Sequence, residues 1–288
     1  MERHTRSYLQ LIKPGITLSN SIAAAAGYFL AASVYGFNVT VLLATVGGVA
    51  LIIASACVVN NMIDRNRDLR MKRTKGREVA AGNISLVNAG IYAFVLGVLG
   101  FELLVAWTNG LTVVLGVVAY VWYVVIYGIA KRTTPLSTII GAVPGALPPV
   151  AGYTALSGHL DAIAWVLFGL MMVWQLPHFY AISIFRRSDY KSAGLPVWSV
   201  RYGTKSTKAQ LFFWVVIFAL LALLPTLLHV TGYVYLIVMA TMSIYWVAIG
   251  TMSYRKLSDE KWAKQMFGVS LVALLVMCAS LAVGGYIV

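Results

Sequence analysis

The chain has 288 residues, 60% of them hydrophobic and 11% charged, with a formal net charge of +13. A soluble domain of this length needs far more polar surface, so water-soluble fold classes are excluded. The apolar residues gather instead in runs of about 20, the length that crosses a bilayer as a helix. The sequence therefore predicts an all-α, polytopic membrane protein forming one transmembrane domain over residues 1–288.

Nine spans are expected, at 16–36, 39–60, 84–107, 110–130, 136–156, 162–185, 208–228, 232–250 and 265–287. All 22 Lys and Arg residues fall before span 1 or in alternate loops at one end, and the intervening loops carry none. The positive-inside rule places the N-terminus and the basic loops in the cytoplasm and Val288 on the outer side of an inner membrane. Topology thus accounts for the basic charge, and a nucleic-acid partner is not expected.

Span 1 contains SIAAAAGYFLAAS, which has the small residues of a signal-peptide cleavage region. Cleavage is not expected, because it would leave eight spans and remove Lys13 and Asn20. Span 2 runs into NNMIDRNRDLRMKRTKGR, residues 60–77, where charge is concentrated in a chain otherwise poor in it. Glu102, near the outer end of span 3, is expected to snorkel. Span 5 carries Pro144, Pro148 and Pro149 within GAVPGALPPVAGY, which suggests either a tightly packed kinked helix or a cavity wall. The two long basic loops, about 61–83 and 186–207, lie four spans apart. Spans 1–4 and 5–8 are therefore candidates for parallel repeats, with span 9 appended. Cys57 and Cys278 fall in separate spans and predict neither a disulfide framework nor a metal cage.

The chemistry concentrates after span 2. Asp64 and Asp68 are four residues apart, so a helix continuing past the membrane places both carboxylates on one face, with Asn60 one turn earlier and Asn61 beside it. Hard oxygen donors of this kind suit Mg²⁺, which is typically held by one or two carboxylates and substrate phosphates. Arg70, Lys72, Arg73, Lys75 and Arg77 follow and offer charge to an anion. The same spacing also fits a solvated helix on which the two aspartates pair with Arg67 and Lys72.

The stretch NNMIDRNRD resembles the first Asn/Asp-rich signature of the UbiA superfamily of intramembrane prenyltransferases, N-(D/N)-x-x-D-x-x-x-D. With Asn61 at the second position and Arg70, Arg73, Thr74, Lys75 and Arg77 after it, it is similar to the branch that farnesylates heme. KPGIT at 13–17, GALPPVAGY at 145–153, WQLPHFYAISIFRRSDYKSAGLPV at 174–197 and FGVS at 267–270 match the same branch, so the resemblance spans nearly the whole chain. It implies nine helices around a central cavity that opens sideways to lipid. It also implies transfer of a farnesyl group from farnesyl diphosphate to heme B, with water added. Mg²⁺ is then expected on Asp64, Asp68 and Asn60, with Asn61 and Asn20 orienting water or phosphate oxygens. Lys13, Arg70, Arg73, Lys75 and Arg77 are expected to hold the diphosphate. Many members carry a second aspartate box after span 6, whereas here that loop offers only Asp189 among Arg186, Arg187 and Lys191. Basic residues are therefore expected to neutralise diphosphate where a second metal would otherwise sit.

His178 is the candidate heme ligand, with hydrogen bonding to a carbonyl freed by Pro177 as the plainer role. Arg201 and Lys205 are candidate partners for heme propionates. A heme A synthase or a terminal oxidase is the natural downstream acceptor. Three other readings stand beside this one: a related enzyme with another aromatic or tetrapyrrole acceptor, a small-molecule transporter, and a structural membrane subunit.

Overall fold

The computed structural model describes residues 2–287, with side chains from Ser7 onward. Val288, and the side chains of Arg3 and Arg6 used in the topology argument, lie outside the described residues. A short helix α1 (Glu2–Leu11) precedes α2 (Pro14–Tyr35) and α3 (Val39–Asp68), which form spans 1 and 2. Span 3 is α4 (Leu86–Trp107). Span 4 is α5 (Gly110–Val121), a π-helical turn at Trp122–Ile126, and α6 (Tyr127–Thr133). Helix α7 (Ser137–Ser157) is span 5 and α8 (Ala162–Phe185) is span 6, followed by the short loop helix α9 (Arg187–Ser192). Helices α10 (Trp198–Leu221) and α11 (Leu224–Leu227) form span 7, and α12 (Tyr233–Ser253) and α13 (Asp259–Gly284) are spans 8 and 9. Among the described residues, nine helices are long and apolar enough to cross a membrane. The protein is a multi-pass membrane protein.

The helix starts follow local chemistry. Asn38, Ser85, Asn109, Asp161 and Ser258 accept hydrogen bonds from backbone amides in the first turns of α3, α4, α5, α8 and α13. Helices α10 and α13 begin well before the positions hydropathy predicts. Helix α10 begins at Trp198 and takes in basic residues, with its backbone breaking at Gly203 (φ 81°), a left-handed value suited to glycine. Helix α13 begins at Asp259 because Ser258 caps it and two acidic residues occupy its first turn.

Consecutive spans pack as neighbours and α13 returns to α2, so the chain closes on itself; α2 against α7 and α8 against α13 form further contacts. The three prolines do not break α7. Pro144 cannot donate to the Ile140 carbonyl, and the Trp122 indole Nε1–H takes its place at 2.9 Å. Helices α2 and α7 meet backbone to backbone. A Cβ on Gly152 would lie 1.9 Å from the Ala24 carbonyl oxygen, and one on Gly27 would lie 1.9 Å from that of Pro149. An open apolar cavity of about 650 Å³ sits between α3, α4 and α5, with Ser55, Phe101, Glu102 and Tyr120 on its walls.

At the basic end, the two long loops form one cap. Met71 packs in a buried cluster with Ala193, Leu195 and Val197. The Ser192 hydroxyl donates to the Arg70 carbonyl at 2.8 Å. Residues more than a hundred positions apart thereby position each other above the bundle. The α2–α7 approach yields a stability prediction: Gly152→Ala should destabilise by about 1–3 kcal/mol, the usual scale of overpacking. Gly110→Ala, with no atom within 4 Å of the new Cβ, should leave the thermal midpoint in lipid nanodiscs near wild type. Equal midpoints for the two variants would show that the helices separate at no cost.

Candidate active site at the basic end of the bundle

Helix α3 runs unbroken to Asp68, so Asn60, Asn61, Asp64 and Asp68 do share a helix that emerges at the basic end. Nothing between Val58 and Asp68 breaks the helix, and the first turn of the loop is tied down where the Thr74 hydroxyl donates to the Asp68 carbonyl at 3.0 Å.

Asn60, Asn61, Asp64 and Asp68 each have a partner outside this helix. Lys13 Nζ donates to Asn60 Oδ1 at 3.2 Å, and Asn61 Nδ2 donates to the Leu11 carbonyl at 3.0 Å. Both asparagines are buried, and the link from Asn61 fastens the end of α1 to α3. Lys131 Nζ donates to Asp64 Oδ2, while Arg132 Nη2 lies 3.6 Å from Oδ1 and donates to the Ile63 carbonyl at 3.2 Å. Asp68 is almost wholly buried at 1% exposure, and Arg77 Nη1 reaches both its oxygens, at 3.0 and 2.9 Å. The expected partners of a simple solvated helix, Arg67 and Lys72, form no ion pair among the described residues. The carboxylates are matched instead by bases from span 4 and from the far side of the loop.

Lys131 and Arg132 were legible in the sequence only as topological charge. A signal that identifies their neighbourhood is present: Tyr123, Tyr127 and Lys131 recur every four residues. In the structure the two tyrosine rings stack at 5.5 Å between centroids, and Lys131 Nζ lies 5.5 Å from the Tyr127 ring. The π-helical turn at Trp122–Ile126 sets this register, and such turns are frequent at functional sites.

Lys13 stands where charges of both signs converge. Burial holds its pKa below the ordinary lysine value. Arg77 and Lys131 push it the same way, while Cys57 and Asp64 oppose them. In the second loop, burial raises the Tyr190 pKa, against the pull of Arg73 and Arg77, which places this phenol beside those guanidinium groups. Asp189 is buried and forms no ion pair among the described residues. Arg187 Nε donates to the Ser199 carbonyl at 2.8 Å and so ties the loop to α10, and Arg186 lies over the Phe185 ring. Arg70, Arg73, Lys75 and Lys191 are exposed, as are Arg201 and Lys205. Asn20 donates to the Ile16 carbonyl of its own helix at 2.8 Å, and among the described residues no hydrogen bond joins it to the carboxylates.

The donor set fits a hard divalent cation. Asn61 Oδ1 is buried with no hydrogen-bond partner, a state that costs about 1–3 kcal/mol, and Asp64 Oδ1 has no hydrogen bond either, only the Arg132 guanidinium at 3.6 Å. Among the described residues, no group of three or more His, Cys, Asp or Glu side chains could hold a metal. A cation here would need oxygens from a ligand to complete its shell.

His178 lies deeper, on α8. Its ring stacks on Trp174 at 5.2 Å and meets Phe267 at 4.7 Å, and Nδ1 is 2.8 Å from Ser270 Oγ on α13. The expected hydrogen bond to a carbonyl freed by Pro177 is absent among the described residues; the partner is a hydroxyl of another span.

The model of the UbiA prenyltransferase family matches residues 20–281. The chain belongs to this family. It is 42% identical over 279 residues to protoheme IX farnesyltransferase 2 of Pseudomonas aeruginosa, covering 96% of this chain and 94% of that one. Its fold is similar to that of a digeranylgeranylglyceryl phosphate synthase, with a TM-score of 0.79, 20% identity and 99% of each chain covered. It is also similar to a UbiA homolog from Archaeoglobus fulgidus bound to GPP and Mg²⁺, with a TM-score of 0.67 and 16% identity over 96% of this chain and 99% of that one. The transporter and structural-subunit readings of the sequence give way to this family membership.

The state of Lys13 carries a pH prediction. Deprotonation removes a cation, so prenyl diphosphate capture should weaken as pH rises, and it should do so below the range of a free lysine. Lys13→Arg should flatten that alkaline limb in a profile of kcat/KM against pH. An unchanged limb in the variant would show that another group sets it.

Proposed function

We propose that this protein is a heme-farnesylating enzyme, converting heme B, farnesyl diphosphate and water into heme O and diphosphate. The observation that carries the reading is the buried carboxylate–base cluster, Asp64 and Asp68 with Lys131, Arg132, Arg77 and Lys13, at the mouth of an apolar bundle. Its likeness to protoheme IX farnesyltransferases supplies the acceptor and the prenyl donor. We read the chain as one catalytic domain in the inner membrane, with its N-terminus and the loops at about 61–83 and 186–207 in the cytoplasm. Its product passes to a heme A synthase or a terminal oxidase.

Breaking the allylic C–O bond leaves both electrons on the departing diphosphate, so the reaction's main electrostatic demand falls on that group. Lys13, Arg77, Lys131 and Arg132, next to the carboxylates, are the proposed partners of that group, with the exposed Arg70, Arg73, Lys75 and Lys191 as further proposed contacts. Arg186 and Asp189 are the second loop's proposed contribution, and Arg187 ties that loop to α10. Asp64, Asp68 and the amide oxygens of Asn60 and Asn61 are the groups that would hold Mg²⁺, with Asn20 on α2 a further proposed partner for water or phosphate oxygens. When bound, Mg²⁺ supplies Lewis-acid stabilisation of the leaving diphosphate. The heme vinyl π electrons form the new bond to the farnesyl carbon. Water then adds to the resulting porphyrin-stabilised cation and loses a proton. The apolar walls of the bundle limit premature capture of the prenyl cation by water. His178 is the proposed ligand of the heme iron, and Arg201 or Lys205 the partner of a propionate.

One incubation tests the reading: purified protein, heme B, farnesyl diphosphate and Mg²⁺, followed by mass spectrometry. A heme adduct carrying farnesyl and hydroxyl is expected, and a prenylated product only with another acceptor would replace the heme assignment. Asp64→Asn and Asp68→Asn should each lower yield by about 10²–10³-fold, the scale of losing one preorganised electrostatic group. Protein level in membranes should hold. Wild-type yield from either variant would remove that carboxylate from the metal site.

A further inference from the structure

The environment of His178 defines which ring nitrogen is free. Ser270 has a single hydroxyl proton, and its Oγ lies 2.6 Å from the Phe267 carbonyl, an atom that can only accept. With that proton committed, Oγ can only accept from the imidazole at 2.8 Å, so the ring proton sits on Nδ1. The other nitrogen, Nε2, then carries a lone pair. It makes no hydrogen bond among the described residues, on a ring that is only half-buried. The ring cannot easily turn to exchange the two nitrogens. Trp174 stacks against it at an interplanar angle of 28°, Phe267 lies against it at 35°, and Phe179 meets it edge-on at 5.3 Å. The serine is itself fixed, since Trp174 Nε1 donates to the Ser270 carbonyl at 2.7 Å.

We infer that Ser270 is a positioning residue for the acceptor: it holds His178 as the Nδ1–H tautomer so that Nε2 binds the iron of heme. This rests on the heme reading above and deepens it. A metal-ligating histidine needs its second nitrogen protonated and held, and an outer partner fixes ring orientation and raises ligand basicity. The device also joins α8 to α13, so the acceptor side is built from spans 6 and 9 while the diphosphate side is built from spans 1, 2 and 4.

The test is a titration of purified full-length protein with ferric heme B, without prenyl diphosphate, followed at the Soret band. Mg²⁺–farnesyl diphosphate binding is measured in parallel. His178→Ala should abolish the ligated-heme spectrum. Ser270→Ala should weaken heme binding by about 10–100-fold, the usual effect of losing an outer-sphere partner, and shift the band. Ser270→Thr, which keeps the hydroxyl, should restore both, and diphosphate binding should hold in all three. A wild-type spectrum and affinity in Ser270→Ala would overturn the inference, as would an unchanged spectrum in His178→Ala. So would a matched loss of diphosphate binding in Ser270→Ala, which marks a packing role. These outcomes are separate from the reaction itself. Wild-type protein that makes the farnesylated heme while His178→Ala keeps the ligated spectrum sinks only the ligand assignment. Wild-type protein that yields no such adduct sinks the heme reading.

Discussion

Everything at the basic end depends on keeping two carboxylates charged where little water reaches them. Asp68 is 1% exposed and the Asp64 side chain 14%. Moving such groups out of water costs several kcal/mol per ion, and removing one partner of a buried pair strands the other. The fold meets this cost by bringing bases from separate segments: Lys131 and Arg132 from the end of span 4, Arg77 from across the loop. Long-range structure is therefore written into the ion pairs. The end of α3 is set against α6, and the loop must fold back over Asp68 before the charge is covered. On the proposed function, the same cations would face the diphosphate, so holding the resting site together and receiving the substrate would draw on one set of residues.

The fold was legible in the sequence where a single physical scale controls it. Hydrocarbon thickness sets span length, and the nine apolar runs became nine membrane-length helices among the described residues. Boundaries slipped where local chemistry outranked hydropathy. Ser258 starts α13 among charged residues, and α10 extends back to Trp198 across the turn at Gly203. The prolines of span 5 were open to two readings because proline's cost depends on what becomes of the carbonyl it abandons. The Trp122 indole satisfies the Ile140 carbonyl, a contact between residues 18 apart that no local pattern announces.

The site was legible to a similar depth. The spacing of Asn60, Asp64 and Asp68 gave the helix face, because helical periodicity is local. The partners of those carboxylates were not, because nearby Arg67 and Lys72 are equally basic and only the tertiary fold excludes them. Lys131 illustrates the difficulty: its charge already had an explanation in membrane topology, which hid its second use. The role of Ser270 is likewise invisible in sequence, since a hydroxyl becomes informative only when its proton can be assigned to a particular carbonyl.

The depth of the two subsites orders the proposed chemistry. His178 precedes the end of α8 at Phe185 by seven residues, which is roughly 10 Å of helix rise. On the proposed reading, an acceptor held there would sit that far from the charged mouth where the leaving group would be held. The donor set on α3 is sparse: two carboxylates, each already facing a base, and two amide oxygens. That set is too lightly charged to hold a divalent cation tightly alone, because Mg²⁺ parts reluctantly with its water and favours phosphate oxygens. On the proposed reading these residues would hold the cation together with phosphate oxygens of the prenyl diphosphate, and Lys131 and Arg77 would be the bases nearest to that anion.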